Sequence, residues 1–228
     1  MHDNSNPRIS LNKLGEFLIA RSARRRRAII HDQKYPNDAV VPLYRNAFDP
    51  IESLLGSGGI NVDGMIEDIA ALRAGTGSEW RVRDNKCTAD ALEAFLDIVD
   101  QLPVETAEFI RGDNSPRKLL ISGVTVSIRP DFLVHTKRRA TEYIGAIKLH
   151  FIGDDKKKIT PDGGQYVAAL LHRWLQENNP GVRQPHHAFC YSVDVFRKAV
   201  FTGPASTTLR MRDIEAACEE IALRWPSI

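Results

Sequence analysis

Residues 118–151, KLLISGVTVSIRPDFLVHTKRRATEYIGAIKLHF, decide the reading of the fold. Lys118 to Ser122, Val124 to Arg129 and Asp131 to Val134 are rich in β-branched and apolar residues, and Gly123 punctuates them as a hairpin turn would. Glu142 to Phe151 predicts a longer strand. Side chains alternate along a strand, so Tyr143, Gly145, Ile147, Leu149 and Phe151 share one face, and Glu142, Ile144, Ala146, Lys148 and His150 share the other.

Downstream, a polar loop over 153–164 leads into a helix carrying Val167, Leu170, Leu171, Trp174 and Leu175 at helical spacing, closed by Asn178-Asn179-Pro180-Gly181. Strands are expected over His187 to Ser192 and Val195 to Thr202, then a last helix with Met211, Ile214, Cys218, Ile221 and Trp225. Upstream, the turn Asp113-Asn114-Ser115-Pro116 marks a change of character. Before it the chain reads as helical. One helix is expected from a Ser10 cap, with an Ile9–Leu14 staple, to about Ile30. Others are expected over Pro50 to Leu55, from Asn61 to Gly75, from a Thr88 cap to Leu102, and over Glu105 to Ile110. These elements predict an α/β fold, a mixed sheet flanked by helices, with residues 1–112 as a helical N-terminal region packed on a core of residues 113–228.

The chain has 228 residues, of which 43% are hydrophobic and 26% charged, ordinary values for a folded protein. No apolar run approaches the ~20 residues that span a bilayer, and the polar first residues lack a signal-peptide core, so no membrane partner is expected. Cys87, Cys190 and Cys218 are scattered without metal-ligand spacing, which suits a reducing compartment and a cytoplasmic location. The net charge is +2, so a nucleic-acid surface must come from local clusters. Three are present: Arg21 with Arg24 to Arg27, Lys137 to Arg139, and Lys156 to Lys158. Arg24 and Arg25 can grip phosphates, or form a solvated helix end favoured by the macrodipole. Lys156, Lys157 and Lys158 can touch DNA, or form a solvated loop.

The chemistry concentrates at Arg129-Pro130-Asp131 and Ala146-Ile147-Lys148. Metal-assisted phosphodiester hydrolysis needs carboxylates to hold a divalent cation and a lysine to assist water attack or offset developing charge. Pro130-Asp131 resembles the first motif of the PD-(D/E)xK nuclease superfamily, and Ala146-Ile147-Lys148 resembles the second, with alanine where an acid is expected. A hairpin before Asp131 and a helix after Lys148 follow that family's order of elements. The resemblance implies a restriction-endonuclease-like fold, catalytic roles for Asp131 and Lys148, and Mg²⁺ or Mn²⁺ at Asp131 if the protein is active. Gln165 and Tyr166 open the following helix, adjacent rather than at the spacing usual in the exonuclease branch; Gln165 would orient the site or touch phosphate. Asp162 is the candidate for the missing carboxylate, as in restriction enzymes that carry this acid on the helix; a plain cap is its other reading. Glu93, Glu105 and Glu108 are further candidates, whereas Glu142 lies about 13 Å from Ala146 along the strand.

Two functions from one lineage follow from the resemblance. One is a metal-dependent nuclease acting on DNA in bacterial defence or restriction. The other is a catalytically inactive nuclease-fold protein that binds nucleic acid, a protein partner or a second copy of itself. A third reading is an α/β interaction protein in which Asp131 and Lys148 coincide by accident.

Overall fold

The computed structural model describes residues 5–36, 43–153, 158–179 and 181–228. Among these it holds seven α-helices and eight strands in two sheets. The smaller sheet has the order β1-β4-β3, from Arg8–Ser10, Val124–Ser127 and Leu119–Ile121. Strands β3 and β4 form the hairpin expected from the sequence. Its turn residues, Ser122 and Gly123, both have positive φ (45° and 79°), which matches the right-handed twist of the strands.

The larger sheet has the order β2-β5-β6-β7-β8. Its strands are Ala107–Arg111, Phe132–Arg138, Thr141–His150, Gln184–Asp194 and Ala199–Thr202. Only β6 and β7 run parallel within it. A parallel pair needs a crossover, and helix α6 (Pro161–Asn178) supplies it. Between Ile144 and Ala146 the pairing slips, because β7 moves on from Pro185 to Cys190. A Cβ at Gly145 would stand 2.0 Å from the Phe189 carbonyl oxygen, so this irregularity requires glycine there.

Helices cover both faces of the large sheet. On one side α1 (Leu11–Ile19), α2 (Ala23–Lys34), α6 and α7 (Thr208–Arg224) pack with Ile144, Ala146 and Cys190. On the other, α3 (Phe48–Gly56), α4 (Val62–Ala74) and α5 (Glu79–Leu96) pack on Phe132, Val134, Ile147, Leu149 and Val193. Each fully buried Leu or Ile contributes about 1.5–3 kcal/mol. The alternation along β6 is the one the sequence predicts.

Several expected elements differ. The first helix does not continue to Ile30. It stops at Ile19, Ala20 is extended, and the Ser22 hydroxyl caps a second helix by accepting from the Arg25 N–H. The arginine run therefore opens α2 rather than closing a helix, where the macrodipole opposes it. Two of these cations are offset locally: Arg25 pairs with Glu16, and Arg26 with Glu220 at 3.0 Å. The helix expected from Thr88 begins earlier, capped by Ser78, and Thr88 is buried inside it. Residues expected as a helix from Glu105 form strand β2 instead, because Ala107–Arg111 pairs antiparallel with β5. Strands β1 and β2 of residues 1–112 thus pair with β4 and β5 of residues 113–228. No helix among the described residues is long and apolar enough to cross a membrane.

Candidate functional site

The β5–β6 register sets Phe132 against Ile147, which places Asp131 just ahead of β5 and directly across from Lys148. The Asp131 N–H donates to the Ile147 carbonyl at 2.8 Å and extends the ladder by one step. Both side chains then project toward α1 and α6. Asp131 Oδ1 accepts from Lys148 Nζ at 2.8 Å, and Oδ2 accepts from the Leu149 N–H at 2.7 Å. The side chains are only 11% and 17% exposed. Gly112 closes the other side: its N–H donates to the Asp131 carbonyl at 2.9 Å, and a Cβ there would meet the Pro130 oxygen at 2.0 Å.

Burial pushes the Asp131 carboxyl above its ordinary range, and the Lys148 ammonium and the Leu149 N–H only partly pull it back. Two residues on, His150 lies on the same strand face and is 3% exposed, with Nε2 2.9 Å from Ser192 Oγ. Burial, and then the Lys148 charge, hold the imidazole down at about 3, so it is neutral at physiological pH. The β6–β7 register sets His150 against Asp194. The fully buried Asp194 accepts from the Ile159 N–H at 3.1 Å and the Arg197 N–H at 3.4 Å, and so fixes the approach to α6. The row Asp131, Lys148, His150, Ser192, Asp194 therefore runs across one face at the C-terminal end of the parallel pair. Open α/β sheets bind ligands at such ends. Beside it lies a cavity of about 660 Å³ lined by Lys13 and Glu16 of α1, Arg25 of α2, His150, Lys158 and Gly163. Among the described lining residues three cations face one carboxylate, and Glu16 is already bonded to Lys13 and Arg25.

The residues nominated by the sequence separate into two groups. Asp131 and Lys148 meet. Asp162 and Gln165 do not join them. Asp162 is 76% exposed and 3.4 Å from Arg210 of α7, and the same guanidinium bonds Gln165. Neighbouring Tyr166 donates to Asp213 at 2.6 Å and lies under Arg210, 4.9 Å from guanidinium carbon to ring centre. Nor does Asp162 cap α6; Thr160 does, accepting from the Gly163 N–H at 3.2 Å. Glu93 pairs with Arg73, Glu108 lies 3.7 Å from His135, and Glu105 is exposed. Arg24 is exposed, and Lys156 and Lys157 lie outside the described residues. The sequence reading missed Glu16, Lys13, Ser192 and Asp194. For Asp194 a signal exists: a carboxylate inside an otherwise apolar strand is costly unless it is bonded.

Scans of the chain against family models and curated proteins find no match. The side chains must therefore answer for the metal. Magnesium demands near-octahedral oxygen ligation. Asp131 brings one carboxylate, with both oxygens already accepting from N–H donors, and Ala146 brings none. Among the described residues no group of three or more His, Cys, Asp or Glu is placed to hold a metal ion. The described residues do not fit Mg²⁺ or Mn²⁺.

Proposed function

We propose that the chain is a restriction-endonuclease-like protein that binds nucleic acid without cutting it through a metal. One observation carries this reading: the Asp131 carboxylate is satisfied by Lys148 and Leu149, while the strand position two residues before the lysine is a fully buried alanine. Element order supports the kinship: a hairpin, an aspartate opening β5, a lysine on β6, a crossover helix, then a parallel strand. The cationic cavity at His150, two residues beyond Lys148, supports nucleic acid as the ligand, because phosphate contacts dominate such binding. A role in bacterial defence or restriction belongs to the same proposal.

The metal-dependent nuclease remains the second reading, and the 2.8 Å Asp131–Lys148 contact favours it. Incubation of plasmid, single-stranded DNA and RNA with Mg²⁺ or Mn²⁺, alongside gel-shift assays, separates the two. The expected result is binding, no cleavage, and no thermal shift on adding either metal. Cleavage that disappears in both Asp131→Ala and Lys148→Ala reinstates the hydrolase.

A further inference from the structure

Across the large sheet from the Asp131 row, α3, α4 and α5 enclose a second cavity of about 730 Å³, within the range of about 300–1,000 Å³ usual for a small-ligand site. Helix α5 supplies one wall. Trp80 and Asp84 lie four residues apart on it, as do Arg81 and Asn85, so all four share one face. Asp84 and Asn85 are buried, 4% and 9% exposed, yet both line the cavity. Asp84 Oδ1 accepts from the Tyr44 N–H at 3.2 Å. A carboxylate offers about four acceptor sites, and no second donor reaches Asp84 among the described residues. The Asn85 amide makes no hydrogen bond among the described residues, and none of its polar atoms is sealed off, so in a side chain this buried they open onto the cavity. Gly75 makes room for it: a Cβ there would stand 2.4 Å from the Asn85 amide nitrogen. A buried amide left unpaired is costly, which points to a ligand that completes it. Trp80 is 48% exposed. Arg45, from the turn Arg45–Ala47 ahead of α3, and Arg81 are exposed, and neither guanidinium has a partner among the described residues. Of the two further lining acids, Asp49 lies 3.9 Å from Arg111 and Asp68 is exposed.

We propose that this cavity binds a guanine base, carried by a free nucleotide or by an unpaired position of a nucleic-acid strand. The polar wall selects the base. Guanine presents a carbonyl, a ring N–H and an amino N–H side by side along its pairing edge. The Asn85 amide supplies a donor for the carbonyl, and the neighbouring Asp84 carboxylate supplies acceptors for the two N–H groups. Adenine and cytosine set a bare ring nitrogen beside their amino group, and uracil and thymine set one N–H between two carbonyls. Each brings a lone pair against Asp84, and a site built to hydrogen-bond its ligand rejects analogues that leave its buried groups unpaired. Trp80, one turn before Asp84, offers a flat face for the ring, as aromatic side chains do for unstacked bases. Arg45 and Arg81 are the lining donors for the attached phosphate. The free-nucleotide form stands without the nucleic-acid reading, and the strand form adds a base-reading site to it.

Trp80 also supplies a signal, because Trp174 and Trp225 are only 9% and 2% exposed. Tryptophan quenching and calorimetry are followed with GMP, IMP, AMP, CMP and UMP, and with thymidine oligomers that do or do not carry one central guanine. GMP should quench and saturate, with AMP, CMP and UMP weaker by about tenfold or more. IMP lacks the amino group offered to Asp84 and should fall between. Asp84→Asn keeps an acceptor for the Tyr44 N–H but turns an amide toward the ring, and should abolish the preference for GMP over IMP. Asn85→Leu and Trp80→Ala should each weaken GMP binding by about tenfold. Thermal melts confirm that each variant folds, and Trp80→Ala, at an exposed position, serves if the buried variants do not. A tighter guanine-bearing oligomer assigns the site to a strand, a tighter GMP to a free nucleotide, and either upholds the inference. Equal binding of the two oligomers with no saturation by GMP overturns this inference alone and leaves the nucleic-acid reading standing. Absence of all binding overturns both. Equal binding of all the nucleotides, or GMP binding unchanged in every folded variant, overturns the guanine site.

Discussion

Two carboxylates were nominated for one metal, and the fold treats them oppositely. Asp131 meets Lys148 at 2.8 Å with side chains 11% and 17% exposed, at the end of two hydrogen-bonded strands. Asp162 meets Arg210 at 3.4 Å with side chains 76% and 21% exposed, between the ends of two helices. Both are aspartate–cation pairs, yet only the first is paired by backbone register. The difference separates an ion pair embedded in the sheet from one that decorates its rim, and the two should respond to substitution on different scales.

The largest effect is expected at Lys148. Removing one partner of a buried pair leaves an uncompensated charge and costs about 3–5 kcal/mol. Lys148→Met should show this in urea unfolding at neutral pH. Asp131→Asn/Lys148→Met should recover part of the loss, because it leaves no buried charge behind. A loss under about 1 kcal/mol for Lys148→Met would mean that water reaches the pair, and the contrast with the rim would disappear.

Acid unfolding sharpens the comparison next, since two groups in the row titrate with opposite sign. His150 holds a folded value of about 3, below its ordinary 6.5. The unfolded chain therefore binds the proton first, and stability falls as pH drops from 6.5 toward 3, by at most about 1.4 kcal/mol per pH unit. His150→Gln keeps a hydrogen bond for Ser192 and should flatten that limb. Asp131 is raised above its ordinary 3.8, so the folded chain binds that proton first. Its contribution is present at low pH and is lost as pH rises from 3.8 through the raised value. Lys148→Met removes the charge that restrains this shift and should widen the window upward. A steeper acid limb in His150→Gln than in the unaltered protein would contradict the neutral, buried imidazole.

What the sequence disclosed follows the same division between local and distant. The alternation along β6 is local, and it correctly put Ala146, Lys148 and His150 on one face. The Ser122-Gly123 turn is equally local. Strand β2 escaped because it is an edge strand in which only Phe109 is buried, which leaves no periodic pattern to read. The start of α5 escaped because Trp80 and Val82 are exposed there, so that stretch shows no apolar stripe. The break at Ala20 turned on whether Ser22 would cap, a choice that apolar spacing does not encode. The partner of Asp162 lies 48 residues further on, and no spacing near Asp162 points to Arg210.

The smallest effect is expected at that rim. Arg210→Ala removes an exposed pair with Asp162, a bond to Gln165 and a cation over the Tyr166 ring. Exposed ion pairs contribute about 0–1 kcal/mol, and a cation over an exposed ring about 0.5–1. Unfolding should therefore shift by roughly 1 kcal/mol or slightly more, with part of the loss vanishing in high salt. The Tyr166 hydroxyl, already pushed up to about 12 by burial and by Asp213, should rise further without the guanidinium that opposes them. Because Asp162 and Gln165 face α7 rather than Asp131, nucleic-acid affinity should hold within about twofold, well inside the tenfold that 1.4 kcal/mol represents. If Arg210→Ala weakens binding by about tenfold or more, the rim belongs to the binding surface, and the buried pair is then its structural support rather than its centre.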